Sequence, residues 1–154
     1  MDQQVIFDVI ADLIIEVVSH MGITIRVEQE ESLQYGHIFN IIGSDTYSLI
    51  GRQGSHLHAL TTLVRILAVK KCGSVPPFLI DIDDYYRKRQ WYIKDIVRKG
   101  IQEAQRTGQP VSLEPMPHYE RRMVHTLSQE QFSGVTTSSN GREPYRYVII
   151  TPTV

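Results

Sequence analysis

Hydrophobic residues along this chain follow two periods, and the switches between them mark its elements. Ile6, Val9, Ile10, Leu13, Ile14, Val17 and Val18 keep the helical period, which predicts an amphipathic helix over residues 5–21. Asp8, Asp12 and Glu16, four apart, share a different face, and Gly22 stops the helix. Residues 23–27 (Ile-Thr-Ile-Arg-Val) alternate like a half-buried strand. Residues 35–42 hold a second β-rich run, with the polar residues 28–34 as the turn between them. The pair is expected to form an antiparallel hairpin.

A short helical segment over residues 45–50 comes next, then two glycines three apart. Leu57, Leu60, Leu63, Val64 and Leu67 form an apolar stripe that predicts a helix to about residue 71. Gly73 and Pro76-Pro77 end it, and residues 78–83 read as a third strand. Residues 85–106 form a long helix, with Gly100 as its weak point. Tyr86, Ile93, Ile96, Val97, Ile101 and Ala104 can line one side of it. A short extended piece at residues 111–113 precedes a helix over residues 118–127, with Glu120 in its favourable first turn. A short strand over residues 134–138, a turn at 139–141 and a final strand over 145–151 complete the reading.

With 154 residues, 42% of them hydrophobic, the chain can build a core. No apolar run is long enough to span a bilayer, and no basic segment followed by an apolar block begins the chain. The single Cys72 excludes an internal disulfide and, beside Lys70 and Lys71, is read as a free thiol with no role. A soluble, cytoplasmic protein without membrane contact is expected. The net charge is −1, but its distribution is uneven. Residues 1–50 carry eight acids and one base. Residues 51–125 carry thirteen bases and seven acids. Such a segment suits a polyanion, although a solvated helix face gives the same pattern.

Two short motifs carry candidate chemistry. In Gly51-Arg52-Gln53-Gly54 the absent side chains let another backbone approach closely. The loop opens a helix, whose free N–H groups and partial positive charge favour an anion, and Arg52 adds a cation. By itself the motif is equally an ordinary turn. Arg121 and His125, four apart, share one helix face. A guanidinium can take a phosphate bidentately and an imidazole can stack or hydrogen-bond. An isolated pair of this kind also occurs on any surface helix. His56 and His58 point to different sides of their helix, which disfavours a metal pair. There is no Walker loop, no HExxH and no Cys/His cluster with zinc spacing. No enzyme, metal or cofactor is expected.

The surroundings of both motifs sharpen the reading. Leu49-Ile50-Gly51-Arg52-Gln53-Gly54, with Leu57 and Leu60, closely resembles the core of a bacterial-type (type II) KH domain, over roughly residues 1–83. Residues 113–125 and 141–150 resemble the single-stranded-nucleic-acid-binding domain named for its Arg-three-residues-His motif. Residues 81–89 look like the joint between the two in the bacterial Jag family. The resemblance implies an α+β chain: a KH domain with a three-stranded sheet over residues 1–84, then a small α/β Arg-x-x-x-His domain over residues 85–154. It implies an RNA-binding protein of bacterial RNA regulation, cell elongation and division. The expected partner is single-stranded RNA, or single-stranded DNA, together with a small KH protein or a second copy. Gly51, Arg52, Gln53 and Gly54 would be the clamp, Arg121 and His125 the second motif, and Arg122 a helper. The additional N-terminal domain of many relatives is expected to be missing. The alternative is a protein-interaction scaffold with weak or no RNA binding.

Overall fold

The computed structural model describes residues 2–33 and 36–153. Gln34 and Tyr35, at the end of the expected turn and the start of the second β run, lie outside the described residues. The chain divides into two compact units, Met1–Tyr86 and Arg87–Val154. Its elements are mixed α and β.

In the first unit, α1 (Gln3–Ser19) starts where the Asp2 carboxylate accepts the Gln4 N–H. Ile6, Phe7, Ile10, Leu13, Ile14 and Val18 are buried on one stripe. β1 (Arg26–Ser32) and β2 (Gly36–Ile42) pair antiparallel, and β3 (Phe78–Ile82) adds parallel to β2, giving the order β1-β2-β3. The hairpin exists, but its first strand is displaced from the expected one. β1 contains most of the polar run expected as the turn. An edge strand needs only backbone pairing on one side, so Glu28, Gln29, Glu30 and Glu31 can sit in it, largely exposed.

Two 3₁₀ turns, Thr46–Leu49 and Arg52–Gly54, lead into α2 (Ser55–Cys72). Leu57, Leu60, Val64 and Ala68 bury its inner stripe against α1 and the sheet. Leu63, expected in that stripe, is 45% exposed, because position 63 falls away from the 57–60–64–68 line. Gly73, with φ +81°, returns its N–H to the Val69 carbonyl and ends the helix. Cys72 is half-buried at the edge of this core. Near the end of β3, the Asp81 carboxylate accepts the Ile82 N–H at 2.8 Å and the Tyr86 N–H at 3.4 Å. Burial pushes the Asp81 carboxyl above its ordinary range, the largest influence on it.

α3 (Tyr85–Thr107) runs into the second unit, which also holds β4 (Val111–Ser112), α4 (His118–Gln131), β5 (Val135–Asn140) and β6 (Tyr147–Pro152). The sheet order is β4-β6-β5, antiparallel throughout. Ser139 and Asn140 end β5 instead of forming the expected turn, and α4 runs one turn longer than its apolar pattern. Ile93, Val97, Ile101 and Ala104 meet Val124, Val148 and Ile150 in the core. Gly100 is not a weak point. It is buried, and a Cβ there would stand 3.0 Å from Ile150 Cδ1 and 3.1 Å from Leu113 Cδ2, so α3 comes close to the sheet.

A carboxylate lies in this core. Glu120 is 1% exposed and accepts from Arg89 Nε at 2.8 Å and Arg89 Nη2 at 2.9 Å. Arg89 Nη2 also reaches Glu114 at 3.2 Å. Removing the guanidinium leaves a buried carboxylate unpaired. Arg89→Ala is therefore expected to destabilise the second unit by about 3–5 kcal/mol, whereas Arg89→Met combined with Glu120→Leu should cost far less. Thermal and urea denaturation of the three proteins checks this, and equal losses for the single and double variants would count against the pair.

Candidate nucleic-acid interface

The loop between the 3₁₀ turns and α2 is built on left-handed backbone. Gly51, Gln53 and Gly54 have φ of +72°, +53° and +78°. The two glycines are also sterically required. A Cβ on Gly51 would strike the His56 ring and stand 2.8 Å from the His56 nitrogen. A Cβ on Gly54 would stand 2.7 Å from Tyr85 Cε1. His56 is itself fixed, with Nδ1 2.8 Å from the Ser48 carbonyl oxygen. It thus serves the loop from below, while His58 is exposed on the next part of the helix.

The donors expected to be free at the start of α2 are largely engaged. The Ile50 carbonyl accepts from His56 N at 3.0 Å and Leu57 N at 3.1 Å. Gly54 N donates to the Gly51 carbonyl, and Ser55 N to the Arg52 carbonyl. The tight loop consumes these groups to hold its own shape. What it offers outward is a closely approachable backbone and the exposed Arg52 side chain, which has no ion pair among the described residues.

Beside the loop lies a groove of about 280 Å³, lined by Ile41, Ile42, Gly43, Tyr47, Ile50 and Ile82. Tyr47 is 87% exposed at this groove. Of the apolar residues around the loop, Ile50 lines the groove and Leu57 is fully buried in the core. The sequence pattern does not single out Tyr47. Only its place on the 3₁₀ turn, next to the loop, shows its availability.

In the second unit, Arg121 is 5% exposed. Its Nη1 donates to the Met116 carbonyl at 2.7 Å, and its Nη2 pairs with Glu143 at 2.5 Å. The guanidinium thereby joins the start of α4 to the segment before α4 and to the β5–β6 connection. His125 is half-buried, with Nδ1 2.7 Å from Thr137 Oγ1 and Nε2 2.9 Å from Ser139 Oγ, both on β5. Both ring nitrogens are used, each by a hydroxyl that can donate or accept. Burial, and then the Arg121 charge, push the His125 ring below its ordinary value. Arg122 is exposed, with no ion pair among the described residues. Arg121 and His125 therefore position α4 against the sheet, and Arg122 is the cation of the motif that faces solvent. Thr137 and Ser139, which hold His125, lie outside both stretches of the resemblance, and Glu143 lies within the second, but nothing in the sequence marks any of them as a partner of the motif residues.

The central positive balance is partly internal. Arg89, Arg98, Lys99, Arg106 and Arg121 are in ion pairs, and Lys71 lies 4.0 Å from Glu16. Among the described residues no helix is long and apolar enough to cross a membrane.

Residues 92–152 match the R-3-H domain family, whose name stands for an arginine and a histidine with three residues between them. The chain is 34% identical over 131 residues to RNA-binding protein KhpB of Clostridium symbiosum, covering 85% of this chain and 58% of that protein. It is 29% identical over 144 residues to RNA-binding protein KhpB of Lactiplantibacillus plantarum, covering 92% and 43%. With RNA-binding protein KhpB of Bacillus subtilis it shares 30% over 113 residues, covering 73% and 54%. The chain spans about half the length of the curated relatives it matches.

The loop and the histidine give separate predictions. Gly54→Ala meets both the positive φ and the Tyr85 ring, and is expected to lower stability by about 1–3 kcal/mol, read as a reduced melting temperature. A neutral melting shift would refute the close approach. For His125 the folded pKa lies below the ordinary 6.5. Its stabilising contribution is thus complete above the unfolded value and is lost as pH falls through the folded one. The wild type should lose melting temperature on acidification from about pH 7.5 to 5, and His125→Gln should lose less. His37, also held low by burial, is replaced with Gln in both proteins to isolate the effect.

Proposed function

We propose that this chain, with its Arg-x-x-x-His domain and its likeness to the KhpB proteins, is a Jag-family protein that binds single-stranded RNA through two linked modules. In this reading the unit Met1–Tyr86 is a type II KH domain and the unit Arg87–Val154 is the Arg-x-x-x-His module. Gly51, Arg52, Gln53 and Gly54 clamp the sugar-phosphate backbone, and bases enter the groove beside Tyr47. Arg122 contacts phosphate from α4, while Arg121 and His125 hold that helix in place.

One observation carries the reading of the first unit. The left-handed Gly51 and the exposed Arg52 directly follow Ile50, which lines the groove together with the exposed Tyr47 ring. A phosphodiester needs close backbone approach and a cation, and a base needs a flat apolar face. All three are adjacent here. Gln53 adds no charge, so the clamp has one cation and the affinity depends on both modules acting together. The relatives' printed names supply the polymer, RNA. Roles in bacterial RNA regulation and in cell elongation and division go with the same reading.

A second reading is favoured by a separate feature. Val17, Met21, Leu49, Ala59, Leu60 and Leu63 line a mostly apolar groove of about 320 Å³ between α1 and α2. Such a face suits a protein, either a small KH protein or a second copy. In that reading the chain is a scaffold, and Leu63→Glu would abolish its association in sedimentation without changing RNA affinity.

Arg52→Asp with Gln53→Asp is expected to weaken binding to unstructured RNA at least tenfold with an unchanged melting temperature. Arg52→Ala alone should reduce the slope of log affinity against log salt by about 0.7, the value for one neutralised phosphate on a single strand. Fluorescence titration at several salt concentrations reads both. Unaltered affinity and slope would remove the clamp.

A further inference from the structure

The unit Arg87–Val154 contains a groove of about 240 Å³, away from the Arg121–His125 face. Trp91, Lys94 and Arg98 of α3 form one wall, and Leu127 of α4 and Phe132 complete the apolar side. Positions 91, 94 and 98 are three and four residues apart, so their side chains follow one another along one helix face. Trp91 is 69% exposed and is the only tryptophan in the chain. Val97, fully buried, forms the floor beneath it.

The charges around the ring are defined. Asp95 also lines the groove, but its carboxylate is taken by Arg98 Nη2 at 2.6 Å and Lys99 Nζ at 2.7 Å. These bonds hold Arg98 in place and neutralise the acid. Lys94 is in no ion pair among the described residues. The groove thus presents a broad π face, an apolar floor, one available ammonium and one guanidinium beside it.

This combination favours one ligand chemistry. An apolar peptide side chain would use the apolar floor and leave the cations idle. A nucleotide uses every part: its base stacks on the indole, and its phosphate meets Lys94 and Arg98. On α4, Leu127 lies two residues from His125, so it faces about 200° around the helix from that ring. The groove is therefore separate from the motif.

We propose that Trp91, Lys94 and Arg98 form a stacking site for one base of single-stranded RNA and its adjoining phosphate, lengthening the footprint of the second unit beyond the Arg121–His125 helix. The proposal rests on the RNA-binding reading above.

The lone tryptophan reports on its own site. The full chain is titrated with an unlabelled uridine oligonucleotide of about 12 residues, following indole fluorescence. In parallel, the anisotropy of a labelled copy measures affinity. Indole quenching that saturates together with the anisotropy is expected. Trp91→Ala should weaken binding roughly five- to a hundredfold, the range for loss of one stacked base, and Trp91→Phe should keep most of the affinity. Lys94→Ala, at an exposed position that disturbs no packing, should flatten the salt dependence by about 0.7. If the wild type binds RNA but the indole signal stays constant and Trp91→Ala and Lys94→Ala bind as tightly, the stacking site is refuted while the RNA-binding reading stands. If Trp91→Ala changes only self-association in sedimentation, the groove belongs to a protein contact and the proposal falls. A wild type that fails to bind the oligonucleotide in anisotropy overturns both readings.

Discussion

A carboxylate removed from water must be paired, and the second unit is arranged around the pairing of Glu120. Arg89 meets it with two nitrogens, which fixes α3 against the first turn of α4. The next residue, Arg121, then reaches Met116 and Glu143, tying the same turn to the segments on either side. One helical turn later His125 falls onto the hydroxyls of β5. Apolar packing alone would let two helices slide. Directional, charge-assisted bonds do not, because each has a narrow geometry.

The first unit solves a similar problem with backbone. In the proposed clamp the loop must be tight enough for a phosphate chain to come close, and its tightness comes from left-handed residues, two of them glycines whose missing Cβ atoms make room for His56 and Tyr85. The cost appears in the amide inventory. Four N–H groups that a freely starting helix would offer to an anion are bound to Ile50, Gly51 and Arg52 carbonyls. The loop is therefore shaped for approach and steering by Arg52 more than for a cage of amides.

Much of the fold is legible in the sequence because its signals are local. The α1 stripe, the Gly73 stop and the β3 run each depend on neighbours within a few residues, and each element is found where the period places it. β1 departs from its expected place because an edge strand takes its order from pairing with β2, which hydropathy does not record. Leu63 departs for a different reason: a leucine satisfies an apolar pattern whichever way it points. In the candidate site, the two glycines are visible in the sequence, but their spacing alone reads equally as an ordinary turn. The surroundings of Arg121 and His125 are not visible there, since Met116 and Glu143 around the first, and Thr137 and Ser139 around the second, are brought together by tertiary packing.

That last difference changes what an Arg-x-x-x-His pair means in this chain. A motif residue can be retained for contact with a ligand or for the geometry that makes contact possible, and burial separates these roles. Arg121, 5% exposed with both terminal nitrogens engaged, is suited to geometry. Its neighbour Arg122, one step around the helix, is exposed. The same division runs through the rest of the basic segment. Paired arginines and lysines lie along α3 and α4, and among the described residues Arg52, Lys94 and Arg122, each in no ion pair, stand at the loop, the tryptophan groove and the motif. A chain with a net charge of −1 can therefore suit a polyanion: its attraction is confined to a few side chains held by rigid elements, and the acids of α1 and β1 restrict where a strand can lie.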